Sequence, residues 1–371
     1  MDDRDDGFVV VGVDVSAYTI PTDGLEADGT LEWDETTLVL VELTSASGIT
    51  GLGFSYTSAA AALVVRDVLA NLAIGRSVHD LPSIHEEMVR AVRNIGRAGV
   101  VASAIAAVDV ALWDLRARLH DLPLFRLLGA VRHSVPLYGS GGFTSYEERR
   151  LVQQLTEWAK AGIAAVKMKV GLDGGKYPDE DLARVRSVRQ ALPDGVRLFV
   201  DANGAYETKL AIRQANRFAE QNVSYFEEPV SSDHLSQMAA VRAAAPMPIA
   251  AGEYAYDEYY FRRMLESDAV DILQADATRC LGISGFLQGG QLAHSFAKPF
   301  SAHTAPSIHA HAACAVPSLE HVEYFHDHVR IEGMLFDGVL EPRGGLLYPD
   351  PKRPGLGLEF KRAEAERWRV I

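Results

Sequence analysis

Cysteine is nearly absent. The 371 residues include only Cys280 and Cys314, too few for a disulfide framework, so a reducing cytoplasm is the expected setting. Positive charge is also scarce. Lys and Arg total 36 against 50 Asp and Glu, a net charge of −14. That balance argues against nonspecific nucleic-acid binding and against docking on an anionic membrane. It leaves room for an anionic small molecule at a locally cationic site. No long apolar run is uninterrupted. The most apolar helix candidate, GVVASAIAAVDVALWDLRARL, carries Asp109 and Asp114 and reads as a buried helix rather than a membrane span. The start, MDDRDDGF, has no apolar core of the kind a signal peptide needs. Repeats, low-complexity segments and Cys/His sets with zinc spacing are all missing.

What is present suits a globular chain long enough for about two domains. TTLVLVEL and ITGLGFSY read as a hairpin over residues 37–56. Residues 59–128 are mostly helical, with apolar spacings of three and four. Residues 1–130 are therefore expected to form an α+β unit. The pattern then changes. SYEERRLVQQLTEWAKAG offers a capping box, Ser145 with Glu148, and Gly162 as a stop. From there strands and helices alternate through VPLYGS, AAVKMKV, VRLFVDAN, VSYFEEP, MPIAAGE, VDILQAD, KPFSAH and HVEYF. Such alternation predicts a parallel sheet, and this many strands predict a closed barrel over residues 131–345. Residues 346–371, rich in Pro and Gly, read as a segment returning to the first domain.

One arrangement recurs: an apolar strand that ends on an ionisable residue. The ends are Lys169, Asp201, Glu227, Glu253, Asp276, His303 and Glu323. In a parallel barrel these ends converge on one mouth. Asp201, Glu227 and Glu253 would repel one another unless a cation lay between them, and oxygen-only ligands favour a hard ion such as Mg²⁺. Lys167 and Lys169 share a strand face because side chains alternate with period two. Their repulsion is expected to lower the pKa of Lys169 and make it a base, with Lys167 as its electrostatic partner. Asp276 beside His303 would fix the imidazole tautomer. Glu323 is placed to hydrogen-bond a substrate. Asn203, Tyr254 and Arg279, each within three residues of a strand-end acid, are candidate substrate contacts.

KMK, VDANGAY, FEEP, AGE, QADATRCLGISG and SAHTAP, in that order, closely resemble the enolase superfamily, mandelate racemase subgroup. AIAAVDVALWDLRARLHDLPLFRLLG looks like that family's link between cap and barrel. The resemblance implies an α/β fold, a modified (β/α)₇β TIM-like barrel with an N-terminal α+β capping domain. It implies Mg²⁺ on Asp201, Glu227 and Glu253, the first Glu of FEEP being preferred to Glu228. It further implies Lys169 and His303 as bases on opposite substrate faces, with Asp276 behind His303. Glu323 would contact the substrate carboxylate, although SLEHVEYF also offers Glu320.

The family's shared step is removal of a proton α to a carboxylate. An intact KxK with a His–Asp dyad implies dehydration of a sugar acid to a 2-keto-3-deoxy acid. Racemisation, epimerisation and cycloisomerisation are the alternatives. A non-catalytic sugar-acid-binding protein would have lost a ligand or base, and a Schiff-base aldolase would lack the carboxylate triad. The family also implies a homo-oligomer, an octamer or dimer. Specificity is expected from cap loops at residues 18–33 and 54–58. His309 and His311, two apart on a helix, predict no metal site. His326 and His328 are expected at the surface, with the barrel mouth as the alternative. YGSGG reads as a tight turn after the first barrel strand rather than a phosphate loop.

Overall fold

Alternating apolar and polar residues near the start of the chain build a three-stranded antiparallel sheet of β1 (Val10–Ala27), β2 (Glu32–Ser45) and β3 (Thr50–Tyr56). The computed structural model describes residues 6–371, so the acidic start up to residue 5 lies outside it. β2 and β3 form the expected hairpin, registered from Leu38↔Tyr56 to Thr44↔Thr50. The expected loop at residues 18–33 is a correction. Tyr18 to Ala27 continues β1 and Glu32 opens β2, which leaves only residues 28–31 as the connection. The stretch looked loop-like because this end of the ribbon extends beyond the sheet's core. An irregularity between Pro21 and Glu26 further breaks its alternation.

The helix Val100–Leu119 lies across this sheet, buried on most sides. Two glycines allow the approach. A Cβ on Gly53 would meet Ala107 O and Ala111 N at 2.3 Å, and one on Gly51 would meet Leu115 N at 2.4 Å. The acids that interrupt the helix are its ties to the rest of the molecule. Asp109 accepts hydrogen bonds from Ser284 N (3.0 Å) and Ser284 Oγ (2.6 Å). Asp114 accepts from Leu52 N (2.8 Å), Leu356 N (2.6 Å) and Arg118 Nε (2.7 Å). It thereby joins β3, this helix and the C-terminal segment. No helix among the described residues is long and apolar enough to cross a membrane.

All eight expected barrel strands form: β4 (Val135–Gly141), β5 (Ala165–Lys169), β6 (Arg197–Asp201), β7 (Val223–Glu227), β8 (Ile249–Ala251), β9 (Ile272–Ala275), β10 (Phe300–Ala302) and β11 (Leu319–Phe325). They pair in parallel and in sequence order, and β11 closes on β4. The register sets Lys169, Asp201 and Glu227 side by side. Below the mouth the interior is filled by rings. Phe199 stacks on Tyr225 at 4.5 Å, and Tyr138 packs edge-on against Phe199 at 5.4 Å. The C-terminal segment pairs Leu346–Leu347 with the start of β4 and exchanges backbone hydrogen bonds between Val370, Ile371 and Ala17 of β1.

Two local readings change. The helix Glu148–Lys160 has no side-chain cap, because Ser145 Oγ donates to Leu25 O (2.7 Å) and binds this loop to β1 instead. The glycines of YGSGG lie mostly within β4. A Cβ on Gly139 would strike the Trp158 ring at 2.5 Å, and one on Gly141 would strike Gln154 Oε1 at 2.4 Å. Only Gly142 has a turn conformation, at φ 57°.

Behind the mouth, Glu332 accepts from Ser307 N and Ser307 Oγ with one oxygen, while the other has no partner. Burial pushes its carboxyl up to about 8.

Two predictions follow from this packing. Asp114→Ala strands three donors, two of them buried backbone amides, and should cost about 3 kcal/mol in denaturant unfolding; a loss below about 1 kcal/mol would refute its role as a tie. For Glu332 the folded protein holds its proton more tightly than the unfolded chain. Stability should therefore fall as pH rises from the ordinary carboxylate range to about 8. Glu332→Gln has no such proton, so its unfolding free energy relative to wild type should rise from about pH 5 to about pH 8. A pH-independent difference would contradict the assignment.

Candidate active site

The barrel register places carboxylates and amines from neighbouring strands within contact distance. Lys167 Nζ lies 2.6 Å from Glu227 Oε1, 2.9 Å from Glu323 Oε1 and 3.3 Å from Asp201 Oδ2. One step nearer the mouth, Lys169 Nζ donates to Asp201 Oδ2 (2.6 Å) and Asn203 Oδ1 (2.9 Å). Asn203 N in turn donates to Asp201 Oδ1 (2.9 Å), a closure made with Asn203 at φ 46°, which asparagine tolerates better than most residues.

These contacts correct the expected pKa of Lys169. Burial disfavours its charge and Lys167 repels it, but Asp201, Glu253 and Glu227 together hold it above the usual lysine range. Lys167 is likewise held protonated by Glu227, Glu323 and Asp201 against the cost of burial. The expectation counted the two ammonium groups and not the acids facing them. The same balance acts on Glu323: burial opposes its ionisation, yet Lys167, His303 and Lys169 together keep it below the ordinary carboxylate range. Glu323 also lies inside β11 rather than at its end, and it accepts from Thr304 N (3.0 Å).

Asp201, Glu227 and Glu253 are buried and offer oxygens that all lie within 4.8 Å of one another. Glu227 Oε2 has no hydrogen-bond partner. Burial, followed by the charge of Asp201, pushes the Glu227 carboxyl well up. An orphaned carboxylate oxygen in an all-oxygen cluster fits a hard divalent cation. Glu228 is buried beside the cluster but outside it.

Across the mouth, His303 Nδ1 is paired with Asp276 Oδ2 at 2.8 Å. Asp276 Oδ1 accepts from Thr278 N and Thr278 Oγ1, both at 2.7 Å. Burial works against the charge of Asp276, but its hydrogen bond to His303 and the charges of His303 and Arg279 together hold the carboxyl below its usual range. With Nδ1 committed, Nε2 faces Glu253 Oε2 (3.2 Å) and Glu323 Oε2 (3.8 Å). Arg279 lies 3.4 Å from Glu253 Oε1 and 3.5 Å from Asp276 Oδ2, with its guanidinium over the Tyr254 ring.

A cavity of about 340 Å³ opens above this cluster. Lys169, Asn203, Tyr254, Arg279, His303 and Glu323 line its barrel side. Lys167, Asp201, Glu227 and Asp276 lie beneath or behind it. The cap contributes Trp33, Tyr56 and Thr57, which fall in the two stretches expected to set specificity, and Glu35, Thr36 and Thr37, which were not singled out in the sequence. The expectation for His328 is corrected as well. It is buried, lines the cavity, stacks on Tyr56 at 3.4 Å and accepts from Ala305 N (3.3 Å) through Nδ1. His326 sits at the cap–barrel seam, 3.1 Å from Asp23, which Arg150 also holds. Both ring nitrogens of His309 are used, by Ala277 N and Thr304 O.

Comparison with known proteins agrees with this geometry. Residues 150–365 match the enolase C-terminal domain-like family, and residues 27–129 match the mandelate racemase/muconate lactonizing enzyme N-terminal domain. A mandelate racemase/muconate lactonizing enzyme-like protein from Rubrobacter xylanophilus shares 50% identity, with a TM-score of 0.94 over 98% of this chain and 100% of that one. The L-talarate/galactarate dehydratase of Salmonella typhimurium LT2 is 33% identical over 90% of this chain and 83% of its own. Its structure liganded with Mg and L-lyxarohydroxamate gives a TM-score of 0.91 at 29% identity, covering 100% of this chain and 95% of that one. The 3,6-anhydro-α-L-galactonate cycloisomerase of Streptomyces coelicolor is 30% identical over 88% of this chain and 90% of its own. With both domain models matched in order, the chain belongs to the mandelate racemase/muconate lactonizing enzyme subgroup of the enolase superfamily.

Proposed function

We propose that this chain is a Mg²⁺-dependent sugar-acid dehydratase. The observation that carries this reading is the placement of Lys169 and the Asp276–His303 pair on different sides of a cavity whose base is the Asp201/Glu227/Glu253 cluster. Those three carboxylates would hold the ion. Bound there, Mg²⁺ supplies positive charge that stabilises the dianion formed when the α-proton leaves, and that offsets the acids holding Lys169 protonated. Lys169, in its neutral form, takes the α-proton. His303, oriented through Nδ1 by Asp276, delivers a proton from Nε2 to the β-hydroxyl. The C–H and C–OH bonds break, water departs, and the resulting enol tautomerises to a 2-keto-3-deoxy acid. Lys167 and Glu323 hold the base of the site in place. Asn203, Tyr254 and Arg279 contact the substrate.

The same residues would suit ring opening in a cycloisomerase, and two relatives are named as cycloisomerases. Loss of water separates the two readings: elimination of a β-hydroxyl releases water, whereas elimination of a ring oxygen opens the ring and leaves the mass unchanged.

Two experiments test the proposal. Mg²⁺-loaded enzyme screened against a stereochemically complete set of acid sugars should convert at least one to a 2-keto-3-deoxy acid. EDTA should abolish that turnover and Mg²⁺ restore it; silence across the whole set would sink the dehydratase reading. Secondly, His303→Asn should lower kcat by about 10²–10⁴-fold yet still exchange the substrate α-proton with D₂O, whereas Lys169→Ala should lose exchange and elimination together. Exchange that persists in Lys169→Ala and vanishes in His303→Asn would reverse the two roles.

A further inference from the structure

The charges lining the cavity point to one class of sugar acid. We infer that the substrate is a monocarboxylic aldonate rather than a dicarboxylic aldarate, an inference that rests on the sugar-acid reading above. Below the three-carboxylate cluster the barrel is closed by Tyr138, Phe199 and Tyr225. A substrate whose carboxylate and α-carbon sit at that cluster must therefore extend outward, beneath the cap.

Among the described residues, the cap side of the cavity carries no cation. The cap walls carry Trp33, Thr36, Thr37 and Thr57, together with two acids, Asp28 and Glu35. Asp28 Oδ1 is occupied by Thr30 N, Thr30 Oγ1 and Leu31 N. The exposed Glu35 carboxylate has no hydrogen bond or ion pair among the described residues. The cations on the barrel side are already matched. Lys169 is held by Asp201, and Arg279 stands between Glu253 and Asp276. His328 is buried against Tyr56, with its Nδ1 accepting from Ala305 N.

A second carboxylate at the far end of the substrate would lose water and meet the Glu35 carboxylate with no cation to offset it, a juxtaposition that rejects it. A terminal hydroxymethyl group meets no such penalty. Its hydroxyls can donate to Glu35 or exchange hydrogen bonds with the threonines, while the sugar's C–H face packs on Trp33. This separates the chain from its relative named for talarate and galactarate, both of which are diacids.

The test compares each hexonate with the hexarate of the same configuration on Mg²⁺-loaded enzyme. The hexonate should have the higher kcat/KM by at least about tenfold, and Glu35→Lys should shift that ratio towards the hexarate by about as much. Equal or faster turnover of hexarates by the wild type would overturn the inference, as would an unchanged ratio in Glu35→Lys. Calorimetric binding to Mg²⁺-loaded His303→Asn gives a readout independent of turnover. If no acid sugar is dehydrated, the dehydratase reading fails and binding still decides the charge class. Tighter hexonate binding supports the inference; equal, tighter hexarate or undetectable binding rejects it.

Discussion

One buried ammonium group organises the barrel mouth. Lys167 lies within 3.3 Å of carboxylates from three other strands, Asp201 of β6, Glu227 of β7 and Glu323 of β11. Buried acids this close would otherwise protonate or move apart. A cation below them allows the cluster to persist in a buried interior while Glu227 Oε2 and the Glu253 carboxylate stay close to Asp201 at the base of the cavity. Lys169 adds a second positive charge at the rim, and Asp276 sets the orientation of His303 on the far side. Remove Lys167 and the acids have no common counter-charge in the protein, so the positions of the remaining groups lose their basis.

The barrel alone does not complete the cavity. Eight of its eighteen lining residues come from the cap, on β2, β3 and the connections beside them, which precede the barrel in the chain, and two acids on a single helix hold that sheet in place. Asp109 bonds the helix to Ser284 on the barrel, and Asp114 bonds it to Leu52 and Leu356. These side chains make the most apolar helix of the sequence slightly less apolar, and that loss is the reason the cap has a fixed position. Proton chemistry and substrate discrimination are thus carried by different parts of the chain, joined through buried hydrogen bonds.

Much of this was legible in the sequence because strand periodicity and strand-end chemistry are local. All eight barrel strands, and the convergence of Lys169, Asp201, Glu227, Glu253, Asp276 and His303, follow from short apolar runs that stop on ionisable residues. What was not legible depends on contacts made across the fold. β1 was hidden because its outer half is polar and irregular. Ser145 has the spacing of a helix cap, but Leu25 O, 120 positions away, takes its hydroxyl. The basicity of Lys169 was misjudged for a related reason: the neighbouring lysine is visible in the sequence, and the paired carboxylate arrives from another strand. His328 and the cap threonines carried no chemical signal until packing set them around one cavity.

The two glycines of β3 have a further consequence. Gly51 and Gly53 face the helix Val100–Leu119 with no room for a Cβ, and Ser55 on the same face donates to Ser103 O. A slip of one residue would turn Leu52 and Phe54 into backbone atoms of the helix, and a slip of two would bring in a side chain where none fits. The missing atoms act as a ruler. They fix, to a single residue, where the end of β3 presents Tyr56 and Thr57 to the substrate.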